Sequence, residues 1–103
     1  MLKIILVICL MMSHLALASS RQVIDTLGIS PKGQFIALEE YGYKVEKRSF
    51  YVTIKILNVW KKEYVGKPIW VEIPALRPQY LTEARAKAKL LAQDELKRFQ
   101  ISG

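Results

Sequence analysis

The side chains best suited to chemistry in this 103-residue chain are few and badly spaced for it. Glu39 and Glu40 are adjacent. On a strand, neighbours face opposite sides, so these two carboxylates cannot converge as an acid–base pair. They read as solvated or strand-end carboxylates beside Tyr41. Ser30 and Ser49 would each need a base. The lone histidine, His14, lies in an apolar N-terminal stretch, and no Ser-x-x-Lys spacing occurs, so neither serine reads as a nucleophile. Gly28, Gly33, Gly42 and Gly66 are isolated turn residues and form no phosphate loop. A divalent ion would need more oxygen ligands than any local cluster supplies. The reading is a non-enzymatic protein with no catalytic residue, no metal and no cofactor.

Charge is the remaining candidate for function. Sixteen basic and nine acidic residues give a formal charge of +7. Lys44, Lys47 and Arg48 cluster in one connection and Lys61 and Lys62 in another, with Tyr41, Tyr43, Tyr51 and Trp60 close by in sequence. Together they read as a surface for an anionic partner: an anionic lipid, an acidic glycan or an acidic protein. The competing reading is a solvated face with a positive surplus. Nucleic acid fits the charge, but export argues against it. Self-association into a homo-oligomer is compatible with everything above.

Export is read from the N-terminus. Lys3 is followed by an apolar run from Ile4 to Leu17, broken only by Ser13 and His14. Ala16-Leu17-Ala18 then supplies small residues at the first and third positions. This is the pattern of a secretory signal peptide spanning residues 1–18, with cleavage between Ala18 and Ser19. The run is shorter than the roughly 20 residues that span a bilayer. Cys9 sits mid-run after Ile8, which is not the arrangement of a lipid anchor. The expected product, residues 19–103, is one small secreted domain, periplasmic in a Gram-negative host. It carries neither cysteine nor histidine, so its core must hold it without disulfides.

The elements follow from patterning. Val23–Ile29 is a short β-branched run, Ser30-Pro31-Lys32-Gly33 a turn, and Gln34–Gly42 a second strand with Phe35, Ala37 and Glu39 on one face. Tyr43–Ser49 reads as a loop. Phe50–Trp60 is the clearest strand, with Val52, Ile54 and Ile56 on one face. Lys61–Pro68 reads as a connection and Ile69–Ile73 as a fourth strand. From Thr82 the period becomes helical, with Thr82 as cap and Glu83 in the first turn. The fold class is α+β: an antiparallel meander of about four strands with one C-terminal helix packed on one face. The helix is expected to cover Val52, Ile54 and Ile56 through Ala84, Ala88, Leu91 and Phe99, leaving Lys89 on the wet side.

The stretch Ser30-Pro31-Lys32-Gly33-Gln34-Phe35-Ile36-Ala37-Leu38-Glu39-Glu40-Tyr41-Gly42 resembles the S-x-D-G-x-Y-x-A-F-E-E-Y-G hairpin of a bacterial family of secreted proteins, domain of unknown function 2259. Tyr51, Trp60, Gly66-Lys67-Pro68 and the Ala84-Arg85-Ala86-Lys87-Ala88 helix fit the rest of that pattern, over about residues 23–99. Glu39, Glu40, Tyr41 and Gly42 are its most specific element. Lys32 replaces the usual aspartate, and Lys44–Arg48 stands where the family has a glycine-rich stretch. Family members continue into a second half, so the resemblance implies a short member or the N-terminal part of a longer domain. It implies secretion and no known activity. The Ser-Pro-Lys-Gly hairpin is also similar to those of β-propeller blades. Two functional expectations follow: a secreted or periplasmic binding or accessory module with a basic surface, or an N-terminal fragment of a larger secreted hydrolase or propeller-like protein.

Overall fold

The computed structural model describes residues 22–102. The signal-peptide reading of residues 1–18 lies outside them. Four strands run in sequence order across one antiparallel sheet: β1 (Gln22–Ile29), β2 (Phe35–Lys44), β3 (Ser49–Asn58) and β4 (Glu63–Pro74). One helix, α1 (Gln79–Arg98), packs on β3 and β4. The expected α+β meander with a helix on one face is what the chain forms.

The covered face is built as the alternation requires. Val52 and Ile54 of β3 meet Val71 of β4 and Ala84, Ala88 and Ala92 of α1, with Leu81, Ile69, Ile73 and Leu96 around them. A second cluster joins Ala37 and Ile56 to Ile101, bordered by Phe35 and Phe99, whose rings lie 4.8 Å apart. The helix contact differs in phase from the expected one. Its stripe is Ala84, Ala88 and Ala92, whereas Leu90 and Leu91 face outward and Leu91 is 51% exposed. A helix lying close over a flat, β-branched sheet surface has room for methyl groups at its line of contact. Leu81 and Leu96 flank that line, and Leu90 and Leu91 lie on its far side.

Several boundaries also shift. Tyr43 and Lys44 continue β2, so the connection to β3 is only Val45–Arg48. β4 begins at Glu63, because Gly66, Lys67 and Pro68 form a bulge inside the strand: Ile56 pairs with Val65, but Ile54 pairs with Ile69. Gly66 has φ +73°, and a side chain there would collide with Glu95 of α1 and with Phe99 just after it, so the bulge needs glycine. The helix starts at Gln79, not Thr82. Pro78 stands before it with helical φ, and no side-chain cap bond or first-turn acid is used. At the far end Gln100 adopts a left-handed φ of 58°, and Ile101 N–H donates back to Leu96 O at 2.8 Å. That turn sends Ile101 into the core and lets Ser102 bridge Ile29 across the backbone of Gly28, where any side chain would clash.

Candidate functional site

Register and alternation sort the chemically capable residues onto the two faces of the sheet. On the helix side, Glu39 lies opposite Ile54 and Asp25, and Tyr41 opposite Val52. Glu39 is 0% exposed. Its burial is made tenable by Arg85 of α1, which donates from Nε to Glu39 Oε2 at 3.2 Å and from Nη2 to Oε1 at 2.9 Å. The guanidinium stacks over the Tyr41 ring at 4.1 Å and lies 3.9 Å from Asp25. The hydrogen bond to Glu39 above all, with smaller help from Tyr41 and Asp25, holds Arg85 above its ordinary pKa despite its partial burial. Both carboxylate oxygens are engaged by one edge of the guanidinium, Nε and Nη2. The group ties α1 to β1 and β2.

This corrects the reading of Glu39 as solvated or at a strand end. It sits mid-strand and fully enclosed, while Glu40 lies on the opposite face, across from Ile24 and Thr53. It also gives the Glu39-Glu40-Tyr41-Gly42 motif a physical meaning. Glu39 and Tyr41 clamp the arginine of the Ala84–Ala88 segment. Gly42 lies in the ladder between Gln22 and Tyr51.

On the other face no helix packs among the described residues. It presents Ile24, Ile36, Leu38, Glu40, Tyr51, Thr53, Lys55, Leu57, Tyr64, Trp70 and Glu72, assigned by alternation and register. Tyr51 is nevertheless only 5% exposed, because neighbours lie over it. The Trp70 ring stacks with it, at 5.5 Å between centroids and 11° between planes. Lys44 Nζ stands 4.6 Å from the Trp70 centroid and 5.8 Å from that of Tyr51, and pairs with Glu72 Oε1 at 3.2 Å. The Lys44 hydrogen bond above all, against desolvation and with smaller help from Ser49 and the charges of Lys44 and Lys47, pulls the Glu72 carboxyl below 4.5. Trp70 itself is 53% exposed.

The sequence-derived basic set does not form one surface. Lys44, Lys47 and Arg48 lie at the β2–β3 end of the sheet, whereas Lys61 and Lys62 lie in the β3–β4 turn at the opposite end. The length of β3 separates them by about 30 Å. Both turns share one device: Arg48 (φ 48°) and Lys62 (φ 55°) each occupy a left-handed position where glycine or asparagine is the usual choice. At the first cluster Lys44 itself stands over stacked rings, Trp70 and Tyr51, whereas at the far end the sheet-face aromatic is the single exposed ring of Tyr64, with Lys55 5.3 Å from it. Trp60 stands in the far turn, exposed. Sequence reasoning singled out Lys44 and Tyr51 but not Trp70, which reached the site by register across β3.

Comparison of the chain with protein-family models, with curated proteins and with solved structures finds no match. No helix of the described residues is long and apolar enough to cross a membrane.

Proposed function

We propose that the chain is an exported, non-enzymatic binding module that holds an acidic glycan on its helix-free face. Trp70 is the platform, and Lys44, Lys47 and Arg48 are the cations at its border. The observation that carries this reading is the Lys44–Tyr51–Trp70 stack beside a basic turn, on the face that α1 leaves open. A flat aromatic ring takes the apolar face of a sugar, and neighbouring ammonium and guanidinium groups take its carboxylates or sulfates. Glu72 is the resident counter-ion of Lys44. An incoming anion competes with it. A lipid surface fits less well. Trp70 pairs with Thr53, four residues in from the start of β3, so it lies about 13 Å back from the turn. A plane resting on the turn would miss the ring, whereas an elongated chain laid along the face reaches both. Membership of the resembled secreted family is part of this proposal. It is supported by the way the hairpin motif and the helix motif meet in the Glu39–Arg85–Tyr41 group.

Binding of the exported protein to heparin, with dextran as the neutral control, tests this reading. Trp70→Ala, which changes no charge, should weaken heparin binding about tenfold, roughly 1.4 kcal/mol. Lys47→Glu with Arg48→Glu should weaken it further. The same charge change at the far end, Lys61→Glu with Lys62→Glu, should leave most of it intact. Equal losses from the two ends, with no effect of Trp70→Ala, would reduce the interaction to diffuse charge. Capture by phosphatidylglycerol vesicles with no retention on heparin would replace the glycan by a lipid surface.

A further inference from the structure

We infer that the protein forms a two-fold dimer by antiparallel pairing of β1 with β1 of a second copy, making one eight-stranded sheet. The inference starts from the unequal treatment of the two sheet edges. An unpaired edge displays a row of backbone donors and acceptors, and proteins that stay monomeric usually interrupt it. β4 is interrupted at both ends of its Ile69–Ile73 stretch. Pro68 and Pro74 have no N–H, the Gly66–Pro68 bulge breaks the ladder, and the Lys67 N–H donates to Glu95 Oε2 of α1 at 3.2 Å. Glu63, Lys67 and Glu72 add charge along the same strand. Over Gln22–Thr26, β1 has no proline, no bulge and no lysine, its one charge is Asp25, which lies 3.9 Å from Arg85, and all five residues are exposed. Its bulge comes only between Thr26 and Gly28, after which Ile29 is bridged by Ser102. Among the described residues the free edge is therefore Gln22–Thr26.

The occupant follows from symmetry. Pairing β1 of one copy with β4 of the next would repeat without closing, and β4 is blocked. Pairing β1 with β1 closes after two copies and leaves only blocked edges outside. The register with Ile24 on the two-fold axis sets Val23 against Asp25 and Gln22 against Thr26, and opposes no like charges. Shifting the axis to Asp25 would oppose two carboxylates. Ile24, 62% exposed in the single chain, then packs against its own symmetry mate. The body of α1 is no obstacle, since it packs on β3 and β4, and only the Arg85 side chain reaches β1, at Asp25.

Sedimentation equilibrium of the exported protein should give twice the chain mass. Ile24→Lys sets two like charges on the axis and should give the chain mass, with an unchanged far-ultraviolet circular dichroism spectrum showing that the fold survives. In a Cys9→Ser background, Ile24→Cys should oxidise to a covalent dimer, because directly opposed residues of an antiparallel pair lie within disulfide reach, while Lys32→Cys in the distant turn should not. A wild-type protein of single-chain mass overturns the inference. So does a dimer that persists in Ile24→Lys and fails to cross-link through Ile24→Cys.

Discussion

The two faces of this sheet solve opposite problems with similar residues. On the covered face, Glu39 is fully buried and paired with Arg85 of α1, with Asp25 at the edge of the same group. On the open face, Lys44 and Glu72 make a comparable pair, but at the surface and against the exposed ring of Trp70. An ion pair in the first setting is costly to make and more costly to break. In the second it is cheap on both counts and can be exchanged for a ligand. Stability is concentrated on one side of the sheet and exchangeable interactions on the other. Substitutions on the two sides should therefore differ in kind.

The largest contrast is expected along the helix. Ala88 is fully buried against Val52, Ile54 and Val71. Ala88→Asp places an unpaired charge there, with a cost at or beyond about 5 kcal/mol, comparable to the whole stability of a small domain. Leu91→Asp, three residues on but facing water, should shift stability by no more than about 0.5 kcal/mol. Thermal melts followed by circular dichroism decide this. A cooperative transition in Ala88→Asp close to wild type would mean that the helix is not docked through its alanines.

Next in size is the buried pair. Arg85→Ala leaves Glu39 enclosed without a partner and should cost about 3 kcal/mol, the low end for such a loss because the arginine side chain is 31% exposed. For a domain this small that is roughly 15 °C in Tm. Arg85→Lys should restore only part, since an ammonium has no planar fork to match two carboxylate oxygens. Glu39→Met combined with Arg85→Met should recover most of the loss, because no charge is then stranded. A double variant as unstable as Arg85→Ala would show that packing of the arginine stem, rather than the ion pair, fixes the helix.

The same contrast explains what could be read from the sequence. Strand β3 was legible because Val52, Ile54 and Ile56 alternate without a breaker. The first hairpin was legible because Ser30-Pro31-Lys32-Gly33 is a turn by chemistry, and the fold keeps it: Gly33 N–H donates to Ser30 O at 2.9 Å, and Phe35 N–H to Ser30 Oγ at 3.0 Å. Glu39 shared a face with Phe35 and Ala37 in the pattern. Its partner, however, is 46 residues away, and local periodicity carries no sign of it. The start of β4 was hidden because Gly66-Lys67-Pro68 reads as a connection, whereas the fold uses it as a bulge seated under α1. The phase of α1 was misread because hydropathy favours Leu90 and Leu91 over alanines, whereas close helix–sheet packing favours small residues. The basic set looked continuous only because sequence does not show that an antiparallel hairpin sends successive turns to opposite ends.

The smallest expected effect sharpens the description of the open face. Glu72 is solvent-exposed, and its carboxyl is held below 4.5 chiefly by the hydrogen bond from Lys44, which outweighs the opposing desolvation, with Ser49 and the charges of Lys44 and Lys47 adding smaller help. A carboxyl whose pKa is lower in the folded than in the unfolded chain binds its proton more readily when unfolded, so its contribution rises with pH. That contribution is complete above about pH 4.5 and is lost as the pH falls through the lower folded value. Because the pair is exposed, salt should weaken it. The consequence to measure is local: protonating Glu72 releases Lys44 from its anchor, and Lys44 stands over the Trp70 ring. In a Trp60→Phe background, which silences the other indole, Trp70 fluorescence should titrate with a midpoint below 4.5. Lys44→Gln should bring that midpoint up toward the ordinary carboxylate value, and Lys61→Gln at the far end should not move it. A midpoint indifferent to Lys44→Gln would mean that Lys44 does not hold Glu72 in solution. The open face would then lose the resident counter-ion with which an anionic ligand is proposed to compete.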